Sequence, residues 1–184
     1  MMPREDSDRT LMRRLKRGDE RALTGLVLRH SGRMLAVASR LLGSRADAED
    51  AVQRAFIRCH THAKDYRPEW SVTTWLYRIL TNACVDEIRR RRARPEEPLA
   101  PVAPAGRAGP GPETRVDLER ALAKVPTEAR ALLTLRYVEG LSYAELARIR
   151  GISVNTVKSQ LKRGKEILRA ALTERPRSMR EGGR

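Results

Sequence analysis

Aromatic side chains are scarce. Among 184 residues there are two Trp, four Tyr and one Phe. Large rings therefore supply little of any core, and burial must come mostly from aliphatic side chains. Cysteine is scarcer still, with Cys59 and Cys84 alone. Both fall in helical apolar patterns and read as small core residues rather than a disulfide. No apolar run reaches the roughly 18 residues of a membrane span. The opening MMPREDSDRTLMRRL has no apolar signal core. A cytoplasmic protein with no membrane partner is expected. Strand-like alternation is absent, which leaves an all-α fold. Enzymatic constellations are missing too: no nucleophile–base pair, phosphate-cradling glycine loop or convergent carboxylate set stands out. Cys59-His60-Thr61-His62 contains metal-binding residue types, but no second ligand pair stands at zinc spacing, so no metal and no cofactor is expected.

Positive charge is abundant. Lys and Arg number 38 against 23 Asp and Glu, for a formal net charge of +15 and a pI near 11.0. Such an excess suits a polyanion, because each cation laid on a phosphate releases condensed counterions. A membrane surface fits less well: the charge is spread over both halves, and no helix has a wide apolar face with interfacial aromatics.

The chain divides by composition. Residues 1–94 and 114–174 show helical apolar periodicity, whereas residues 95–113, PEEPLAPVAPAGRAGPGPE, are mostly Pro, Ala, Gly and acid without period. That stretch reads as an extended linker, and residues 175–184 read as a polar, frayed tail. Both helical parts are net basic and the linker is net acidic. Two small helical domains on an acidic tether are expected.

Two stretches carry chemistry. In the second domain, Ser142-Tyr143-Ala144-Glu145 has capping-box spacing, and Gly151 ends the helix it opens. Ser153 can cap the next helix, whose Val157, Leu161, Gly164 and Leu168 form a buried stripe. Asn155, Lys158, Ser159, Lys162 and Arg163 lie opposite. Small Ala147 and Gly151 are expected to let the two helices cross closely. This is the helix-turn-helix plan, whose second helix enters the major groove; a plain helical hairpin with a solvated charged face is the alternative. In the first domain, Tyr66, Trp70, Trp75 and Tyr77 crowd together beside Arg67, Arg78, Asn82 and Arg89 to Arg92. Exposed rings between cations suit unstacked bases, the ring taking the base and the cation the phosphate. The competing reading makes Trp75 and Tyr77 core or rim and the Arg run a solvated helix end.

Three segments in order, DAEDAVQRAF (47–56), TWLYRILTNACVDEIRRRR (74–92) and LSYAELARIRGISVNTVKSQLKRGKEIL (141–168), resemble a bacterial RNA polymerase sigma factor. The short two-domain layout resembles the extracytoplasmic-function group. The resemblance implies a non-enzymatic initiation factor that directs core RNA polymerase to promoters and helps open the DNA, in a stress or envelope response. A stand-alone helix-turn-helix regulator would explain residues 141–172 but leave the aromatic loop, the 74–92 helix and the linker idle. By resemblance, Asp47, Asp50, Gln53 and Phe56 dock on the polymerase β′ clamp helices, and the second domain rests on the β flap. Tyr66, Arg67, Trp70, Ser71, Trp75, Tyr77, Arg78, Asn82, Arg89 and Arg90 would meet the minus-ten promoter element as a single strand. Ser153, Asn155, Thr156, Lys158, Ser159, Lys162 and Arg163 would meet the minus-thirty-five element as duplex. An anti-sigma factor is a further partner common in the group. Three residues depart from the family pattern: Arg54 replaces an acid, His60 an aromatic and Arg150 an apolar residue. The first would alter the polymerase contact; the other two would alter packing only.

Overall fold

The computed structural model describes residues 7–93 and 112–173. Most of the expected linker, 95–113, and the expected tail, 175–184, lie outside the described residues. Eight α-helices and no strand occur among them.

Local sequence accounts for most boundaries. Helix α1 (Asp8–Lys16) starts where the Ser7 hydroxyl accepts the Thr10 backbone N–H at 3.3 Å. Helix α2 (Arg21–Leu42) ends at Gly43, and α3 (Arg45–Thr61) begins beneath a Ser44 cap. A single 3-10 turn, Ala63–Asp65, leads into the aromatic loop. Helix α4 (Val72–Ala93) opens with Ser71 Oγ accepting the Thr74 N–H at 3.0 Å. Helix α5 (Pro112–Lys124) takes up the last two positions assigned to the linker. Pro126 stands just before α6 (Thr127–Val138), where a missing N–H removes no helical bond. Helix α7 (Tyr143–Arg150) carries the full capping box: Ser142 Oγ accepts the Glu145 N–H at 3.2 Å, and Glu145 accepts the Ser142 N–H at 2.8 Å. Ser153 caps α8 (Val154–Thr173) by accepting the Thr156 N–H at 3.0 Å.

Helices α1–α4 form one group around α2, and α5–α8 form a second around α8. The apolar stripe expected on α8 is buried at Val157, Leu161 and Gly164. Close helix crossing, however, belongs to a different glycine. A Cβ at Gly151 would meet nothing within 4 Å, and its requirement is a φ of +66°. At Gly164 a Cβ would stand 3.0 Å from Leu133 Cδ1 and 3.2 Å from Ala129 Cβ, so the glycine lets α8 and α6 pack more closely than a larger residue would without displacing those side chains.

The two groups also pack on each other, α2 against α6 and α4 against α7. One continuous cluster of buried apolar residues, from Leu11 to Leu161, runs through both. That contact lay beyond the reach of periodicity, which describes each helix separately.

Candidate nucleic-acid interface

The loop between the 3-10 turn and α4 is shaped by its own aromatic residues. Tyr66 Oη donates to the Trp70 carbonyl at 2.7 Å, and its ring meets Trp75 edge-on, centroids 5.4 Å apart at 67°. Lys16 Nζ donates to the Tyr66 carbonyl at 3.0 Å, tying the loop to α1. Residues 64–70 line an open concavity of about 820 Å³. The Arg78 guanidinium sits 4.9 Å over the Trp70 ring, a cation–π contact that keeps a positive charge at its rim.

Of the two readings of the ring cluster, Trp75 and Tyr77 follow the one that makes them core, and the expectation that Tyr66, Trp75 and Tyr77 meet the strand as exposed rings is corrected. Tyr66, Trp75 and Tyr77 are buried, at 5%, 8% and 2% exposure; Trp70 alone of the four is half-exposed. In a chain with so few rings, these three fill the junctions around the start of α4, where their area is removed from water. Burial raises the Tyr77 hydroxyl above its usual range, and its hydrogen bond to the Glu139 carboxylate adds to the shift.

The cations of α4 are not a free row. Arg89 stands 3.9 Å from Asp86 and 3.5 Å from Glu128, and Arg90 meets Glu87 at 2.6 Å. Arg91 pairs with Asp47 and, at 3.2 Å, with Glu87. Arg54 completes the cluster, 3.4 Å from Asp50 and 3.5 Å from Glu87. Burial pushes the Glu87 carboxyl upward, but the hydrogen bonds and charges of Arg90 and Arg91 outweigh it and hold the group below the ordinary range. The same balance, burial against Arg91 and Ser44, holds Asp47 low. Asn82 is exposed, yet its Oδ1 accepts from Arg150 at 3.1 Å. Arg67 and Ser71 are exposed.

On α3 the expected docking residues separate. Asp50 and Gln53 are exposed. Asp47 is committed to Arg91, and Phe56 lies in the core at 7% exposure, because helical spacing carries its ring to the face that meets its neighbours. The apolar residue this surface does present is Ile57, 55% exposed, in a shallow concavity shared with Arg54, Arg58, Ala83, Asp86 and Arg90. Helical spacing along α3 already sets Ile57 off the buried face, and that was the available signal for it. His60 stays at the surface, 3.9 Å from Glu20.

Helix α8 behaves as its pattern indicates. Asn155, Lys158, Ser159, Lys162 and Arg163 are exposed along one side, and the three cations have no ion pair among the described residues. Ser153 and Thr156 are engaged in the cap, their hydroxyls 2.8 Å apart. Ser159 Oγ donates to the Thr156 carbonyl at 3.0 Å.

Several functional groups escaped sequence reasoning. Glu87 precedes Arg90 and Arg91 by three and four residues, a helical spacing that could have revealed the cluster. Glu128, Glu139 and the role of Arg150 left no local signal. Arg150 does more than alter packing: it bonds both Asn82 and Glu128.

The fold and these surfaces define an all-α nucleic-acid-binding protein with a helix-turn-helix on one side and a basic, aromatic loop–helix element on the other. Residues 26–94 match the family described as Sigma-70 region 2, and residues 115–168 match Sigma-70, region 4. The chain is 35% identical to the ECF RNA polymerase sigma factor SigM of Mycobacterium tuberculosis, over 89% of this chain and 84% of that protein. It is 30% identical to SigW of Bacillus subtilis, over 89% and 95%. The solved structure of CnrH in complex with the cytosolic domain of CnrY superposes with a TM-score of 0.70 at 31% identity, covering 93% of this chain and 100% of that one. The chain belongs to the extracytoplasmic-function RNA polymerase sigma factors. It is a transcription initiation factor, not an enzyme, and its partners are RNA polymerase and promoter DNA. No described helix is long and apolar enough to cross a membrane.

Proposed function

We propose that the two helical groups divide promoter recognition between them. Residues 1–94 hold the polymerase and the minus-ten element, residues 95–113 tether, and residues 114–174 hold the minus-thirty-five element. The observation that carries the reading is the 64–70 concavity beside half-exposed Trp70 with Arg78 above its ring. A base extruded from the duplex can enter there and stack, while Arg67 and Arg78 neutralise its phosphates. Asn82 and Ser71 offer hydrogen bonds to base edges, and Arg89 and Arg90 supply charge farther along α4. Buried Tyr66, Trp75 and Tyr77 act by holding the loop and helix in shape. Held bases offset the cost of unpairing, a few kcal/mol.

Helix α8 reads duplex. Lys158, Lys162 and Arg163 meet phosphates or base edges, Asn155 and Ser159 bond to bases, and Ser153 and Thr156 place the helix start near the backbone. Asp50, Gln53 and Ile57 form the surface for the β′ clamp helices, with Asp47 and Phe56 behind it; the second group rests on the β flap. The working place is the cytoplasm, where core polymerase is found, and the setting is a stress or envelope response. An anti-sigma factor is a further partner of the kind suggested by CnrH, solved together with the cytosolic domain of CnrY.

Run-off transcription with purified core polymerase on genomic promoter fragments tests the reading. Promoter-specific transcripts should need the added chain, and Trp70→Ala should remove permanganate-reactive thymines at the start site while the chain still binds core. Transcripts unchanged by Trp70→Ala would place strand opening elsewhere.

A further inference from the structure

Helix α1 carries cations that no carboxylate takes up. Arg9, Arg13 and Arg17, the last closing the helix, recur every four residues and so share one face, opposite buried Leu11 and Leu15. All three are exposed and have no ion pair among the described residues. The acids at the two ends of the helix are engaged elsewhere. Asp8 is 3.1 Å from Arg29 and 2.8 Å from His30 of α2, and Asp19 is 2.8 Å from Arg14. Glu20, one residue further, stands 3.9 Å from His60 of α3. The outward face of α1 is therefore built from cations. Like charges four apart on a helix repel one another, and a polyanion laid along them would relieve that repulsion. At 1.5 Å per residue the three span about 12 Å, the length of a few nucleotides.

This face adjoins the aromatic loop. Lys16, on the same side of α1 as Arg9 and Arg13, donates its Nζ to the Tyr66 carbonyl at 3.0 Å. Burial pushes the Tyr66 hydroxyl above its usual range, and the Arg9 charge, the next largest influence, pulls against it, which places that cation beside the loop. The concavity of residues 64–70 lacks charge of its own. Lys64 and Arg67 line it, but so do Asp65 and Glu69, which leaves only Arg78 at the rim. A base can stack there, yet the phosphates flanking it gain little from a neutral lining. The unpaired cations begin at Arg9, next to that lining.

We propose that Arg9, Arg13 and Arg17 form a phosphate track along α1, which carries the backbone of the opened DNA strand onward from the 64–70 concavity. None of the three is part of either promoter-reading set. The track rests on that concavity as the strand site: Trp70 and Arg78 hold a base, and α1 holds the sugar-phosphate chain that follows it. Each guanidinium can give two N–H groups to one phosphate. Such contacts supply affinity, register and salt dependence but no choice of base, because phosphates carry no sequence.

Anisotropy of a fluorescein-labelled, random-sequence single-stranded DNA oligonucleotide, titrated with the full-length chain across a salt series, tests the track. The triple variant Arg9→Gln, Arg13→Gln, Arg17→Gln should lower the slope of log affinity against log salt by about two, at roughly 0.7 per phosphate on a single strand. Lys at the same three positions keeps the charge and should keep the wild-type slope. A second triple variant, Arg40→Gln, Arg120→Gln, Arg169→Gln, removes equal charge from exposed positions on α2, α5 and α8 and should leave the slope near wild type. A wild-type slope in the α1 variant, or an equal loss in both triple variants, would overturn the track. Should the α1 triple variant fold poorly, Arg13→Gln alone should lower the slope by about 0.7, and a wild-type slope there overturns the track by itself. Trp70→Ala should weaken binding with the slope unchanged. Wild-type affinity in Trp70→Ala, beside a lowered slope in the α1 variant, would keep the track and move the base out of the concavity.

Discussion

Arg54 Nη2 lies 3.5 Å from the Glu87 carboxylate and thereby joins α3 to α4. The acid that the resemblance leads one to expect at position 54 would here stand against a carboxylate whose side chain is only 6% exposed. The departure at 54 is thus matched by its neighbour. Glu87 gathers Arg54, Arg90 and Arg91, and through Arg91 the cluster reaches Asp47 on α3, the helix proposed to face the polymerase.

Acid should loosen this cluster. The folded Glu87 carboxyl titrates below its ordinary value of 4.5, so the folded protein binds fewer protons than the unfolded chain in that range. Its contribution is present above about pH 4.5 and is lost as pH falls through the lower folded value. Glu87→Gln should lower the melting temperature at pH 7, because three guanidinium groups lose their shared acceptor. It should also flatten the fall in melting temperature below about pH 4.5. Equal acid slopes in both proteins would remove Glu87 from the linkage.

Trp75→Ala should act on stability before it acts on DNA. The ring is 8% exposed and braces Tyr66, so its loss leaves a cavity worth about 3–5 kcal/mol. Chemical denaturation measures this. A loss below about 1 kcal/mol would return Trp75 to the surface.

Lys158→Ala and Arg163→Ala should weaken duplex binding and reduce the slope of log affinity against log salt by about one each. Fluorescence anisotropy across a salt series provides the slope. An unchanged slope would take these two side chains off the phosphates.

Two glycines should respond in opposite directions. Gly164→Leu drives a branched side chain into Leu133 and Ala129 and should cost about 1–3 kcal/mol or more. Gly32→Ala meets nothing within 4 Å on the exposed side of α2 and should gain up to about 1 kcal/mol through helix propensity. Thermal melts of the two variants compare them directly.

The sequence by itself determined the helices, most of their ends and the helix-turn-helix. Apolar spacing, Ser7, Ser44, Ser71, Ser142 and Ser153 as caps, and Gly43 and Gly151 as stops act within a turn or two of chain, so they can be read locally. It also carried the three motifs of the family and the outward cations of α8. Only the tertiary structure decided which of the four clustered rings face water and that Gly164 rather than Gly151 is the close contact. The reason is one of range. A side chain's spacing says which face of its own helix it occupies, but whether that face meets solvent or another helix depends on segments far away in sequence. Asn82 and Arg150, 68 positions apart, look like solvated polar residues from their neighbours alone; the approach of α7 to α4 makes them partners.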